Sequence, residues 1–189
     1  MANTASNVTA GKPKVGGAIY KAPLGTALPT STTATLNSAF KCLGYVSEDG
    51  VTNDNSPESE TVKAWGGDTV LALQTDRPDT FGFTLLEVLN EDVLGVVYGE
   101  DKVTVDGSGN ITVKATAEQL PSHAWVIDMI VRDGRAKRIV IPDGTLTNLA
   151  TINYVDNDAV GYGITITSVP DSNGAYHYEY IAAESEISG

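Results

Sequence analysis

Short segments of alternating apolar and polar residues run along the chain, separated by clusters of Gly, Asp, Asn and Pro. Alternation with a period of two residues is typical of antiparallel strands that bury one face. The clearest case is 102–115, where Val103 and Val105 precede the turn residues 106–110, and Ile111 and Val113 follow them. This pattern predicts a β-hairpin.

Two more hairpins are predicted downstream. Residues 125–131 lead into Asp133-Gly134, a dipeptide suited to positive φ, and the chain returns through 139–141. The segments 160–166 and 175–181 are predicted to pair across the turn residues 171–174. Further strands are predicted at 15–21, 42–46, 61–65, 69–75 and 80–88.

Only one stretch of the chain has the features of a helix. Asn90 can cap its N-terminus, Glu91 and Asp92 suit the positive end of a helix dipole, and Gly99 can end it. We therefore predict a helix over about 90–98. With the hairpins, this predicts a mainly β fold, an antiparallel β-sandwich or barrel with one short flanking α-helix.

No shift of composition divides the chain, so we expect residues 1–189 to form one domain. Three polar segments, 1–14, 22–35 and 47–60, are predicted to be irregular. We expect 1–14 to be a flexible N-terminal arm and 183–189 a flexible C-terminal tail, since weakly hydrophobic termini are often disordered alone.

Residues for soft-metal or nucleophilic chemistry are scarce. His123, His177 and Cys42 are the only histidines and cysteine, too few for a standard zinc site or an internal disulfide. A G-x-S-x-G nucleophile motif is absent, and Gly16-Gly17 and Gly66-Gly67 lack the lysine of a phosphate loop. We predict a non-enzymatic protein with no catalytic residue, cofactor or metal.

Acidic residues offer two weaker possibilities. The pairs Glu48-Asp49 and Asp156-Asp158 could serve glycoside hydrolysis, which needs two carboxyl groups in a cleft. Oxygen ligands at 106–110 could bind calcium, although no twelve-residue loop ending in glutamate follows. Solvated turns explain these residues better, because Asp and Asn are common turn formers.

The net charge excludes other classes of function. With 24 acidic and 12 basic residues the chain carries −12, which disfavours binding to phosphate backbones or anionic lipid. No apolar run is long enough to span a membrane, and we expect no secretory signal. One basic cluster surrounds the Asp133-Gly134 turn, and on this acidic chain we expect it to contact an acidic surface of a neighbouring subunit rather than nucleic acid. Its members are Arg132, Arg135, Lys137 and Arg138.

Four segments in the first half of the chain resemble one known family. They read GYVSEDGV at 44–51, KAWGG at 63–67, FGFTLLE at 81–87 and VLGVVYG at 93–99. APLGT at 22–26 and ITIT at 164–167 extend the likeness over most of the chain. In order and spacing these segments are similar to the tail tube, or major tail, proteins of long-tailed bacteriophages of the siphophage type.

The resemblance implies a structural virion protein. It implies a β-sandwich or barrel with one flanking helix, subunits in six-membered rings, and rings stacked into a hollow tube that conducts genomic DNA to the host. The expected partners are further copies of the chain and the tape measure, tail terminator and distal tail proteins. DNA is expected to pass without sequence-specific binding, assembly to take place in the host cytoplasm, and no part of the chain to insert into a membrane.

The acidic segment 47–60 then becomes a candidate contact with the adjacent subunit or ring, through Glu48, Asp49, Asp54, Glu58 and Glu60. A merely solvated loop is the other interpretation of this segment. Other functions also stay open on the hairpin pattern alone. They are a different virion β-module, such as a capsid decoration protein or an Ig-like adhesion domain, and a small β-sandwich enzyme or carbohydrate-binding module.

Overall fold

The computed structural model describes residues 3–183. Thirteen strands form there: β1 (Lys12–Pro13), β2 (Ile19–Pro23), β3 (Lys41–Cys42), β4 (Val46–Asp54), β5 (Glu58–Lys63), β6 (Thr69–Asp76), β7 (Thr80–Leu85), β8 (Val103–Val105), β9 (Ile111–Val113), β10 (His123–Ile130), β11 (Ala136–Leu149), β12 (Tyr162–Ser168) and β13 (Tyr178–Ile181). The helix α1 spans Glu91–Tyr98. Single 3-10 turns lie at Ala5–Asn7, Glu100–Lys102 and Arg132–Gly134.

Nine of these strands form one antiparallel sheet. Its main order is β3-β2-β10-β11-β12-β7-β4, with β1 beside the end of β10 and β13 beside the start of β11. The long strand β11 takes part in two layers, because its first half pairs with β10 and β13 and its second half with β12. The predicted mainly β antiparallel fold is confirmed, as a sandwich-like arrangement and not as a closed barrel.

Gly144 lies where β11 passes from one layer to the other. The register of β10 against β11 is irregular between the partners of His123 and Trp125, as expected for a bulge at a bend. A Cβ at Gly144 would lie 2.7 Å from Ile166 Cγ2 and 3.0 Å from Trp125 Cδ1. Close packing at this bend therefore requires glycine.

The main core fills the space between the two layers and α1. Trp125, Phe81 and Ile166 are fully buried there, and the Trp125 indole N–H donates to the Gly144 carbonyl at 2.9 Å. Strands β7 and β12 alternate buried and half-buried residues, as the period of two predicts. A second, smaller cluster around Phe40 and Val126 lies on the other face of β10 and β11, so these strands are buried on both faces.

Two predicted hairpins and the helix are confirmed. Strands β8 and β9 pair around 106–110, and β10 and β11 are joined at Asp133 and Gly134, whose φ values are 58° and 78°. Asn90 caps α1 by accepting a hydrogen bond from the backbone N–H of Asp92 at 2.9 Å.

The predicted pairing of 160–166 with 175–181 is wrong. The turn itself forms, with Gly174 N–H donating to the Asp171 carbonyl at 2.9 Å. The strands on either side of it lie in line along β11, where β12 pairs with 144–149 and β13 with 137–140. The open edge of the long strand β11 thus accommodates both strands, and β7 occupies the other edge of β12.

Of the segments predicted to be irregular, 47–60 is mostly strand, whereas 3–14 contains only one 3-10 turn and the two-residue strand β1. Most of 47–60 belongs to β4 and β5, because Val46 and Val51 pack against the core and hold β4 on the sheet edge. Within 3–14, β1 pairs with β10, and the Arg132 backbone N–H donates to Thr9 Oγ1 at 2.6 Å, so this segment lies along the sheet. Residues 184–189 of the predicted C-terminal tail lie outside the described residues.

Candidate functional site

Strands β5 and β6 form a hairpin that projects from the sandwich, and we call residues 58–76 the arm. The two strands pair only with each other among the described strands. Every residue of both strands is exposed, on both faces of the hairpin. The arm is therefore a surface element that the core does not support.

The arm nevertheless carries apolar side chains. Val62 lies opposite Leu71, and Glu60 lies opposite Leu73, which puts Val62, Leu71 and Leu73 on one face. These three side chains are 47%, 48% and 50% exposed, and Trp65 at the tip is fully exposed. Isolated two-stranded hairpins are marginally stable in water, and contiguous exposed apolar residues mark interaction sites. The arm has the composition of an interface.

The five predicted acidic contact residues lie on the arm and on the adjoining edge strand. Glu48 and Asp49 are on β4, Asp54 ends that strand, and Glu58 and Glu60 are on β5; all five are exposed. None of them forms an ion pair with another residue of the described range 3–183. A hydrogen bond with Ser56 lowers the pKa of the Asp54 carboxyl. These carboxylates therefore lie on the surface without a basic ion-pair partner among the described residues.

The predicted basic contact residues are largely engaged within the chain. Arg138 is only 3% exposed and binds Asp128, so its predicted role in subunit contact is wrong for the folded monomer. Lys137 pairs with Glu179 at 2.8 Å, and Arg135 Nε donates to the Ala182 carbonyl at 2.7 Å. Arg132 donates to the Ala5 carbonyl and is nearly half exposed. The acidic and basic groups lie on separate elements and do not meet in the monomer.

Both histidines contact carboxylates of their own chain. His177 Nδ1 lies 2.5 Å from Asp79 Oδ2. His123 Nε2 lies 3.6 Å from Glu100 Oε1, which also accepts a hydrogen bond from the buried Lys21 ammonium at 2.5 Å. Burial, and then the charge of Lys21, lowers the pKa of His123, while the Lys21 hydrogen bond lowers the pKa of Glu100. These contacts hold loops and strands together.

A shallow groove of about 270 Å³ lies on the outer face of β4, β7 and β12. Small and hydroxyl-bearing residues such as Thr52, Gly82, Thr84, Gly163 and Thr165 line it. Asp49 is the one charged residue of this lining, which contains neither Lys nor Arg. An anionic polymer would find no cationic partner on this part of the sheet.

Within residues 3–183, no group of three or more His, Cys, Asp or Glu side chains is arranged to hold a metal ion. The one α-helix described, eight residues long, is far too short to cross a membrane.

The arm is the feature that the sequence pattern missed. Residues 61–65 and 69–75 are predicted as ordinary strands, and the run Val70-Leu71-Ala72-Leu73 is typical of a buried one. Two features of the sequence indicate that the arm projects from the sandwich. Gly66-Gly67 lies at its tip, and Pro57 and Pro78 lie where it joins the sandwich.

A comparison with protein-family models finds one that covers nearly the whole chain. The model described as phage tail tube protein matches residues 1–188. A comparison of the chain with curated proteins finds no significant match. The match agrees with the resemblance of the segments at 44–51, 63–67, 81–87 and 93–99, and with the antiparallel sandwich and its single helix. The chain therefore belongs to the phage tail tube protein family, whose members are structural, generally non-enzymatic tail proteins that assemble with copies of themselves and with other tail proteins.

Proposed function

We propose that this chain is the repeating subunit of a hollow tail tube, in which copies form six-membered rings and the rings stack to conduct genomic DNA. The observation that carries the proposal is the arm, an exposed hairpin with apolar side chains that nothing in the described monomer covers. Docked on a further copy, the arm makes a head-to-tail contact, and such contacts close into rings or repeat as filaments.

The energy of that contact comes from the apolar face of the arm. Fully burying a Val or Leu side chain is worth about 1.5–3 kcal/mol, so half-exposed Val62, Leu71 and Leu73 contribute about 1 kcal/mol each on docking. Trp65, fully exposed at the tip, contributes more because aromatic anchors dominate interfaces. One contact of this kind is weak, but a tube repeats it at every subunit.

The sheet edges supply a second mode of association. Strand β4 pairs with β7 on one side only, so its other side has unpaired backbone N–H and carbonyl groups. Pairing of such an edge with a neighbouring subunit extends the sheet and removes a site of uncontrolled aggregation. In the tube, the joined strands form a continuous sheet around the lumen.

Charge complements this arrangement. Six chains of −12 would carry about −72 per ring, and like charge along the channel keeps DNA from adhering to the wall. The groove on the outer face of β4, β7 and β12 has no cation and is suited to such a wall. The lumen thus permits passage of DNA without sequence-specific binding. A tube reconstruction with a wall lined mainly by Lys and Arg would contradict this part of the proposal.

The acidic residues Glu48, Asp49, Asp54, Glu58 and Glu60 serve in this proposal as contacts between subunits or rings. Arg132, Arg135 and Lys137 serve as their basic counterparts on a neighbouring copy. The tube carries out no catalysis. It forms in the host cytoplasm and contacts the tape measure, tail terminator and distal tail proteins.

Electron microscopy tests the proposal directly. Concentrated purified protein is examined by negative stain, and the particles are classified by rotational symmetry. Six-fold rings and hollow tubes are the expected result. Rings of another subunit number, or solid fibres without a lumen, would overturn it. A cryo-electron reconstruction of the same tubes then shows which residues line the channel and whether the arm lies against a second copy.

A further inference from the structure

The arm joins the sandwich through two short passages, 55–57 and 77–79. Each passage contains a proline, Pro57 or Pro78, which fixes its own φ and restricts the residue before it. The passages are also bonded to each other, with Arg77 Nε donating to the Asn55 carbonyl at 3.1 Å. The root of the arm is therefore more constrained than the arm itself.

Asp79 lies at the centre of this root and is only 3% exposed. Its Oδ1 accepts a hydrogen bond from Asn53 Nδ2 at 2.7 Å, and its Oδ2 lies 2.5 Å from His177 Nδ1. Its backbone carbonyl accepts from the Ser168 N–H at 2.9 Å. One residue thus ties together β4, β12, the start of β7 and the segment that precedes β13.

The two partners of Asp79 are themselves held in place. Asn53 Nδ2 also donates to the Thr80 carbonyl at 3.1 Å, which bonds the end of β4 to the start of β7. The His177 ring packs edge-on against Phe81, with ring centres 5.2 Å apart and planes at 88°. Both contacts fix the side chains in the orientation that Asp79 requires.

We propose that Asp79, His177 and Asn53 form a clasp that fixes the direction in which the arm leaves the sandwich. The arm is held only at its root, so its direction in the monomer depends on the bonds made there. This inference rests on the proposed docking of the arm, since a preset direction lowers the entropy cost of docking. A purely stabilising cluster would change the melting temperature and leave the arm's direction unaltered.

Electron spin resonance measures the direction of the arm. Cys42→Ser removes the native thiol, and labels are placed at Trp65→Cys on the tip and at Lys114→Cys, an exposed residue of the sandwich. Double electron–electron resonance then gives the distribution of tip-to-body distances in the monomer. Replacing the tryptophan also weakens docking, which keeps the sample monomeric.

Three variants report on the clasp. His177→Phe keeps an aromatic ring against Phe81 and removes the bond to Asp79, while Asn53→Ala changes an exposed residue and spares the core. Both are expected to broaden the distance distribution about twofold, because each removes one of the two side-chain bonds of Asp79 that restrain the root. His177→Asn, whose amide N–H can replace Nδ1–H, is expected to restore the narrow distribution.

Asp128→Asn is the matched control, because Asp128 is also a buried carboxylate with two partners but lies away from the arm. It is expected to lower the melting temperature and leave the distribution narrow. Unchanged widths in both His177→Phe and Asn53→Ala would overturn the clasp, as would equal broadening in Asp128→Asn. The distances are measured on monomers, so a failure of tube formation counts against the proposed function and not against the clasp.

Discussion

Arg138 and Asp128 face each other across β10 and β11 and form a bidentate ion pair. Arg138 Nε lies 2.6 Å from Asp128 Oδ1, and Nη2 lies 2.8 Å from Oδ2. Arg138 Nη1 also donates to the carbonyls of Ser31 and Ala34, at 2.9 and 2.7 Å. The guanidinium thereby binds the loop before β3 to the sheet, and an arginine that the sequence suggests for subunit contact is a structural residue.

Removing one member of this pair should strongly destabilise the monomer. Asp128→Ala leaves the guanidinium buried without its carboxylate, and the expected loss is about 3–5 kcal/mol in the free energy of unfolding. Urea titration followed by tryptophan fluorescence measures it. Lys137→Ala, which breaks the more exposed pair with Glu179, should cost less than about 1 kcal/mol. Similar losses in the two variants would contradict the structural role of Arg138.

Polar substitutions on the arm should prevent assembly without unfolding the monomer. The triple variant Val62→Ser, Leu71→Ser, Leu73→Ser changes side chains on an exposed hairpin, so the free energy of unfolding should move by only about 0.5 kcal/mol. Loss of the apolar contact should abolish rings and tubes in sedimentation velocity and negative stain. Val105→Ser, a similarly exposed valine at 44% on another hairpin, should assemble normally. Normal tubes from the triple variant would show that the arm does not dock.

Gly144→Ala should destabilise the bend of β11. The new methyl group would lie 2.7 Å from Ile166 Cγ2 and 3.0 Å from the Trp125 ring, and overpacking of this kind costs about 1–3 kcal/mol. Thermal unfolding measures the change. Gly107→Ala is the control, because a Cβ there meets no atom within 4 Å and Gly107 does not have positive φ. Equal stability of the two variants would show that the packing around Gly144 accommodates a methyl group without cost.

Acid should weaken the fold in two steps. The folded-state pKa of His123 lies below its ordinary value of 6.5, so the unfolded chain binds this proton first. The stability that this group contributes is complete above pH 6.5 and falls as the pH is lowered through the depressed pKa. Glu100 adds a second loss below its ordinary value of 4.5, because the Lys21 hydrogen bond lowers its pKa in the folded state.

Chemical denaturation at a series of pH values tests both steps. His123→Gln should flatten the dependence just below pH 6.5, and Glu100→Gln should reduce the loss below pH 4.5. The amide oxygen of the new glutamine side chain can still accept from Lys21, so the fold should survive the second change. A wild-type protein whose stability stays constant from about pH 6.5 to about pH 4 would refute the assignment of these groups.

Local chemistry in the sequence determined several elements of this fold. Asp133-Gly134 adopts positive φ and joins β10 to β11, and the Asp106 carboxylate accepts from the backbone N–H groups of Ser108 and Asn110 at the predicted turn. Asn90 caps the one helix described, as expected. Turn and cap residues act through neighbours a few positions away, so their effect can be predicted without the tertiary fold.

The tertiary structure alone decided which strands meet and which charges are buried. The turn at 171–174 forms as predicted, yet β12 and β13 lie end to end along β11 because that long strand offers an open edge to both. Arg138 is buried because Asp128 lies opposite it in the register of β10 and β11. The arm is exposed although its apolar pattern is that of a buried strand. Strand pairing and burial depend on residues far apart in sequence, and alternation along one segment carries no information about its partner.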